Sequence, residues 1–234
     1  MSIKIENIVP PSVEQWQGVI RGMRNPMNSW AKSDSTWDMI EDPSPINPDD
    51  MVYIKIGEND LNLMRRLANA GSDHRKFLRM LPVIMDVTAP LYWWKEYDTY
   101  KVGTVANSCS TMHKIAEKEF TLDQFSHEWL LDSSLCCLEN TIEQLNFWRE
   151  KYILQSHKET CDESCVSAEE CWMQMIQLLP SSYNQKRTLF LNYEVLWNMY
   201  QSRKGHKLQE WRRFCQMIAD KVPYFAEIFG IEAS

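Results

Sequence analysis

The sequence predicts an α+β fold: a small mixed sheet covered by helices, with a long C-terminal helical region. Three observations predict it. Short runs alternate apolar and polar residues as half-buried strands do, first at Ile3, Ile5 and Ile8 and again over residues 51–56. The last fifth of the chain carries apolar residues at helical spacing, punctuated by Gly205 and Pro223. Composition supplies the core: 44% of the 234 residues are hydrophobic, with ten Trp, nine Tyr and eight Phe. One domain over residues 1–234 is the expected organisation.

In chain order, Ile3, Ile5 and Ile8 read as an edge strand, and residues 13–23 have helical spacing. Residues 24–50 are rich in Asn, Ser, Asp and Pro, so residues 1–50 form a loop-rich N-terminal part. Residues 51–56, MVYIKI, alternate as a strand. Asp60 reads as the N-cap of a helix over 61–69, which Gly71 stops. The apolar run 77–87 suits a buried strand, and Ala89-Pro90 opens a helix carrying Leu91, Tyr92, Trp93, Trp94 and Tyr97. Residues 120–129 read as helical, as do 135–152 with Leu138, Ile142, Leu145 and Trp148 on one side. Residues 153–171 form an acidic, cysteine-containing connector.

Charge and motifs exclude several classes. The net charge is −7, and no run of Lys and Arg appears, which argues against nucleic acid as a partner. No stretch approaches the ~18 uninterrupted apolar residues of a membrane span. The start MSIKIENIVPP lacks a basic region and an apolar core, so a cytoplasmic protein is expected. Seven cysteines without a secretion signal read as reduced thiols. His157, Cys161, Cys165 and Cys171 form a loose cluster, but its C-x3-C spacing is not diagnostic of zinc, and no metal is expected. GxSxG, Walker, GxGxxG, HExxH and kinase signatures are all absent.

The informative stretch is Leu179-Pro180 followed by residues 187–213. A helix over 186–204 and a second one after Gly205 are expected. On the first, Asn192 and Arg203 are eleven residues apart and would share a face, with Asn198 about a third of a turn away. Polar groups among large apolar ones need partners, from the protein or from a ligand.

This pattern resembles the C-terminal signature of the flavin-dependent thymidylate synthases, the ThyX family: an LP pair, two Asn and an Arg on one helix, then an AQWEIR-like run. Here these are Leu179-Pro180, Asn192, Asn198 and Arg203, with LQEWRR keeping Gln209 and Arg213. A His that contacts flavin in the family falls within one residue of His206. The family's RHRxxSxNxxSxRY motif follows an Ala-Pro-initiated helix, and its counterpart here is degenerate. RHR falls on Thr99, Tyr100 and Lys101, of which only Lys101 is a cation. Thr104 stands for the first Ser. Asn107 and Ser110 match NxxS with one residue inserted; without it the second Ser falls on Cys109. The Arg-Tyr end becomes Thr111-Met112 or Met112-His113, and a further Arg before the LP pair is replaced by Ile176.

The resemblance implies a ThyX-like fold and an FAD site drawn from Asn192, Asn198, Arg203, His206 and Lys101. It also implies a pyrimidine-nucleotide site at Thr104, Asn107, Cys109, Ser110 and His113, thymidylate synthase-like methyltransferase chemistry, and a homotetramer. The aromatic segment from Trp93 to Tyr100 is expected at a subunit contact. Because arginine forks hold phosphate bidentately, the missing arginines predict weak binding of deoxyuridine monophosphate. Lys101, His113 and Lys114 either form a different anion site or solvate a helix end. Two rival functions remain: a non-catalytic nucleotide-binding protein (a sensor or sequestering protein) on the same fold, and a helical scaffold without ligand.

Overall fold

Ile3 and Ile5 turn inward and Lys4 outward, which makes the first strand, β1 (Lys4–Val9). The structure, a computed structural model, describes residues 3–37, 54–157 and 166–232. Helix α1 (Val13–Arg24) starts at a capping box in which Ser12 Oγ accepts from Gln15 N and Gln15 Oε1 accepts from Ser12 N. Its Trp16, Val19, Ile20 and Met23 are buried. Helix α2 (Glu58–Asn69) begins earlier than the sequence predicts, with Gly57 at the N-cap. Asp60 is not the cap. Its place is taken by Asp34, whose carboxylate accepts from Asn59 N and Asp60 N. A Cβ on Gly57 would collide with that carboxyl group, so the glycine is what lets the remote cap approach. Of the expected strand 51–56, residues 51–53 lie outside the described residues; Lys55 makes one isolated antiparallel bridge to Thr36.

The run 77–87 divides. Residues Arg75–Met80 form a 3-10 turn burying Phe77 and Leu78, and the strand β2 is Pro82–Pro90. The reason is periodicity: from Leu81 onward every second residue (Leu81, Val83, Met85, Val87, Ala89) is fully buried, whereas Phe77 and Leu78 are buried side by side. Pro90 caps α3 (Leu91–Tyr97). Strand β3 (Val105–Ser108) and the single turn α4 (Thr111–Lys114) follow. Residues 120–129 are not an α-helix; only a 3-10 turn, Leu122–Gln124, forms there. Long-range partners take the backbone groups a helix would need. Asn146 bonds both the N–H and the C=O of Phe120, Ser126 N donates to Ser182 O, and Phe125 bridges to Tyr183. Then come α5 (Asp132–Ser156), α6 (Ala168–Leu178), β4 (Asn184–Asn192), α7 (Tyr193–Arg203), α8 (Gln209–Lys221) and α9 (Phe225–Phe229). Among the described residues no helix is long and apolar enough to cross a membrane.

The antiparallel sheet has the order β1-β2-β4-β3. Its register follows from the bonds Tyr193 N to Leu81 O, Leu91 N to Tyr183 O and Cys109 N to Lys186 O. They place Ile84 of β2 opposite Phe190 of β4, and Phe190 opposite Val105 of β3. Leu189 and Leu191 turn to the core, so Phe190 turns away from it. The three are 40%, 44% and 59% exposed, an apolar row on the uncovered face.

The chain groups into two compact units, one of residues 1–4, 87–99 and 107–188, the other of 5–86, 100–106 and 189–234. The core of the first gathers Phe120, Phe125, Leu138, Ile142, Leu145 and Met175, with Trp148, Tyr152 and Trp172 packed against it. In the second, Trp16 meets Tyr193 edge-on at 5.7 Å, and Tyr193 lies 5.9 Å from Phe225. Such aromatic pairs contribute about 0.5–1.5 kcal/mol each beyond their burial.

The expected subunit contact at residues 93–100 loses its motive. Trp93, Trp94 and Tyr97 are buried by this chain alone, and Tyr100 is half-buried. Trp93 stacks on Tyr97 at 5.4 Å, and Trp94 Nε1 donates to Gln185 O at 3.0 Å.

Candidate functional site

In the 5–86/100–106/189–234 unit, the residues around α7 are organised by a strand-to-helix transition. The residues of β4 alternate to Leu191, and Asn192 then closes α7: its Oδ1 accepts from Val195 N at 3.0 Å. Asn192 is therefore an N-cap rather than a position on a helix face, and the shared face expected with Arg203 does not exist. Segment 100–106 packs onto this cap. Gly103 has φ +76°, and a Cβ there would stand 3.1 Å from Asn192 Nδ2 and 3.1 Å from Val195 Cγ2. Thr104 Oγ1 donates to Tyr100 O, which holds the turn.

Arg203 lies at the other end of α7. Its Nε donates to Tyr100 Oη at 3.0 Å, and its guanidinium sits 4.9 Å from the Trp211 ring centroid. The indole and phenol thus fix the plane of the cation. His206 follows: its N–H donates to Arg203 O at 3.0 Å, and its Nδ1 accepts from Leu208 N at 3.2 Å, which leaves the proton of a neutral ring on Nε2. Lys204, Lys207, Arg212 and Arg213 are exposed around this turn, a local cationic rim on an acidic chain. Asn198 is half-buried on α7, and its amide has no hydrogen-bond partner among the described residues. Burial pushes the nearby Cys215 thiol up to about 12, against the smaller opposite pull of Arg203. Lys101 is exposed in the loop before β3.

In the other unit, Asn107 and Cys109 are exposed along and just after β3. Ser110 is the N-cap of α4, its Oγ accepting from His113 N, and His113 is exposed. Gln185 Nε2 ties this segment to β4 through Cys109 O at 2.9 Å and Thr111 Oγ1 at 3.0 Å. Arg187 stacks 4.2 Å from the Trp94 ring centroid and pairs with Asp98 at 2.7 Å. Tyr97 Oη is buried without a hydrogen-bond partner, and burial drives its phenol well above the ordinary tyrosine value.

Segment 100–104 thus meets both ends of α7, Asn192 through Gly103 and Arg203 through Tyr100, with Thr104 holding its turn and His206 adjoining Arg203. The residues that sequence reasoning missed are Tyr100, Trp211 and Gln185, which orient the others. Tyr100 is remote in sequence from Arg203, while Trp211 stands eight residues on within the LQEWRR run; only their aromatic character hints at a stacking role. Of the cysteine cluster, Cys161 and Cys165 lie outside the described residues. Cys171 is buried in α6, and His157 is exposed just past α5. Among the described residues, no three His, Cys, Asp or Glu side chains gather as metal ligands.

No protein-family model matches the chain, and no curated protein sequence matches it. Solved structures do. Thymidylate synthase X (ThyX) from Helicobacter pylori, crystallised with FAD and dUMP, is 15% identical and superposes with a TM-score of 0.61, covering 98% of this chain and 96% of that one. A second structure described as the flavin-dependent thymidylate synthase ThyX of Helicobacter pylori, complexed with FAD and dUMP, matches with the same identity and TM-score over 98% and 97%. The fold is ThyX-like. At this identity the likeness speaks for architecture, and the site must be argued from its own residues. The fixed Arg203 guanidinium stands beside the cationic rim of the turn after α7, a set that can receive an anionic group.

Proposed function

We propose that this chain is a ThyX-like, flavin-dependent enzyme acting on a pyrimidine nucleotide or a related substrate. The observation that carries the reading is the fold likeness over nearly the whole of both chains, to proteins that hold FAD and dUMP. Bound FAD would supply hydride or one-carbon transfer. Asn198, Arg203 and His206 would hold the cofactor, with Lys101 as a peripheral cation. Asn192 acts indirectly by capping α7 and seating the 100–104 turn. Thr104, Asn107, Cys109, Ser110 and His113 are the proposed nucleotide contacts. By the same resemblance, the chain works as one domain and assembles as a homotetramer.

A second reading, a non-catalytic nucleotide-binding protein, is favoured by Tyr100. At the position where the family motif carries its central cation, this chain has a phenol committed to Arg203. One experiment separates the readings. The purified protein is titrated with FAD and followed by visible absorption, then reduced and mixed with dUMP and a one-carbon donor. A perturbed flavin band followed by substrate-dependent reoxidation is the expected result. Binding without reoxidation favours the second reading, and an unperturbed flavin spectrum overturns the first.

A further inference from the structure

We propose a second small-molecule site, for a planar, protonated aromatic amine, in the cleft between residues 112–117 and helices α5 and α6. The cleft holds about 660 Å³, inside the range of about 300–1,000 Å³ typical of ligand pockets. Its floor is apolar, with Ile115, Ala116 and Ile153, and aromatic rings stand on α5 and α6 as Tyr152 and Trp172.

Three features carry the assignment. The first is rigidity, because every wall is tied to another. Trp172 Nε1 donates to Met112 O at 3.1 Å, Arg149 Nε donates to Ala116 O at 3.0 Å, and Asn146 holds both backbone groups of Phe120 at 2.8 Å. A preformed cleft spares a ligand the ordering cost of building it. The second is charge. Among the described residues, the carboxylates that line the cleft are Glu117 and Glu169, and no Lys or Arg is among the lining. Glu117 is paired with Lys114, while Glu169, in the first turn of α6, has no partner among the described residues. That set favours a cation over an anion. The third is the aromatic surface. The Trp172 N–H is committed to Met112, so the ring face is what remains for a ligand, and the Tyr152 hydroxyl has no partner among the described residues. Aromatic faces attract planar cations as well as apolar bodies. His113 is the one lining residue shared with the proposed nucleotide site, so the test leaves it unchanged.

The probe is proflavine, a planar aromatic diamine protonated at neutral pH, with the anionic dye 1-anilinonaphthalene-8-sulfonate as control. Calorimetry on the full chain is expected to give one site per chain in the micromolar range for proflavine and none for the anion. Glu169→Gln should weaken proflavine by up to about fivefold, the upper end for an exposed ion pair. Ser156→Trp should abolish binding by filling the cleft, with thermal unfolding unchanged in both variants. FAD binding, read by absorption, should be the same in Glu169→Gln as in the parent, which separates this site from the proposed flavin site. Equal binding of the two dyes, or proflavine binding indifferent to both substitutions, overturns the proposal.

Discussion

Replacing Asp60 by Asn tests the polar core of the 5–86/100–106/189–234 unit. Asp60 is 0% exposed and Arg24 3%. Asp60 Oδ1 accepts from Arg24 Nε at 2.6 Å, and Oδ2 accepts from the hydroxyls of Ser33 and Ser35, both at 2.7 Å, and from the N–H groups of Asp34 and Ser35, both at 3.2 Å. Burial alone would raise this carboxyl's pKa. The serine hydroxyls and Arg24 outweigh it and hold the group below the ordinary carboxylate value. The amide of the Asp60→Asn variant would lack the charge that compensates Arg24 and would aim an NH2 either at Arg24 or at two backbone N–H donors. Breaking one side of a buried pair costs about 3–5 kcal/mol, and the near-isosteric amide should fall at the lower end, about 3 kcal/mol. For a chain of this size each kcal/mol moves Tm by about 2–4 °C, so a fall of about 6–12 °C is expected. The pH sign is fixed by the depressed pKa. The stabilisation is present above the unfolded carboxylate pKa of about 3.9 and is lost as pH falls through the lower folded value. The variant should lack that component of acid unfolding. Denaturant unfolding of Asp60→Asn, Arg24→Met and the Asp60→Leu/Arg24→Met double variant is the assay, with the doubly apolar core expected to recover part of the loss. A change of less than about 0.5 kcal/mol in the Asp60→Asn variant, the effect of an ordinary surface substitution, would refute the argument.

Two tyrosines should respond oppositely to loss of the hydroxyl. Tyr97→Phe removes a buried, unpartnered Oη and should leave Tm unchanged or raised, whereas Tyr193→Phe breaks the 2.6 Å bond to Pro223 O and should cost about 1 kcal/mol; thermal melts of both variants check this. Gly103→Ala should destabilise by about 1–2 kcal/mol, from the left-handed backbone alone, and more if the Asn192 cap is displaced; denaturant titration reads it. In the native protein, a thiol reagent followed by peptide mass mapping should label Cys109, Cys136 and Cys137 and spare the buried Cys171 and Cys215.

Much of the fold was legible because the elements in question carry their own signals. Helices α1, α5 and α8 show apolar spacing, and α8 ends just before Pro223. Strand β4 was not legible. Its Leu189, Phe190 and Leu191 are consecutive apolar residues, and Phe190 faces away from the core, so the run concealed a period of two and was read as the first turns of a helix. That misreading set Asn192 on a helix face, although it is the cap at the change of period. Residues 120–129 were misread for a different reason: their backbone is satisfied by Asn146, Ser182 and Tyr183, partners that local sequence cannot name. At the candidate site, Asn192, Asn198, Arg203 and His206 could be picked out by type and spacing. The hydroxyl of Tyr100 could not, because tertiary folding alone brings it to Arg203, and the ring of Trp211, eight residues on, reaches the cation only through the path of the turn between α7 and α8.

The row formed by Ile84, Phe190 and Val105 bears on how the protein behaves in solution. Three large side chains that keep 40%, 44% and 59% of their surface in water give up only part of their hydration on folding, so they add less to the heat capacity of unfolding than the same residues would in the core. They also leave a folded surface whose hydration is unfavourable and sensitive to cosolute. Sulfate and phosphate, which are excluded from protein surfaces, raise that penalty without touching a charge. Solubility should therefore fall with these salts more steeply for the parent than for Phe190→Thr, even at a pH where the −7 charge keeps molecules apart.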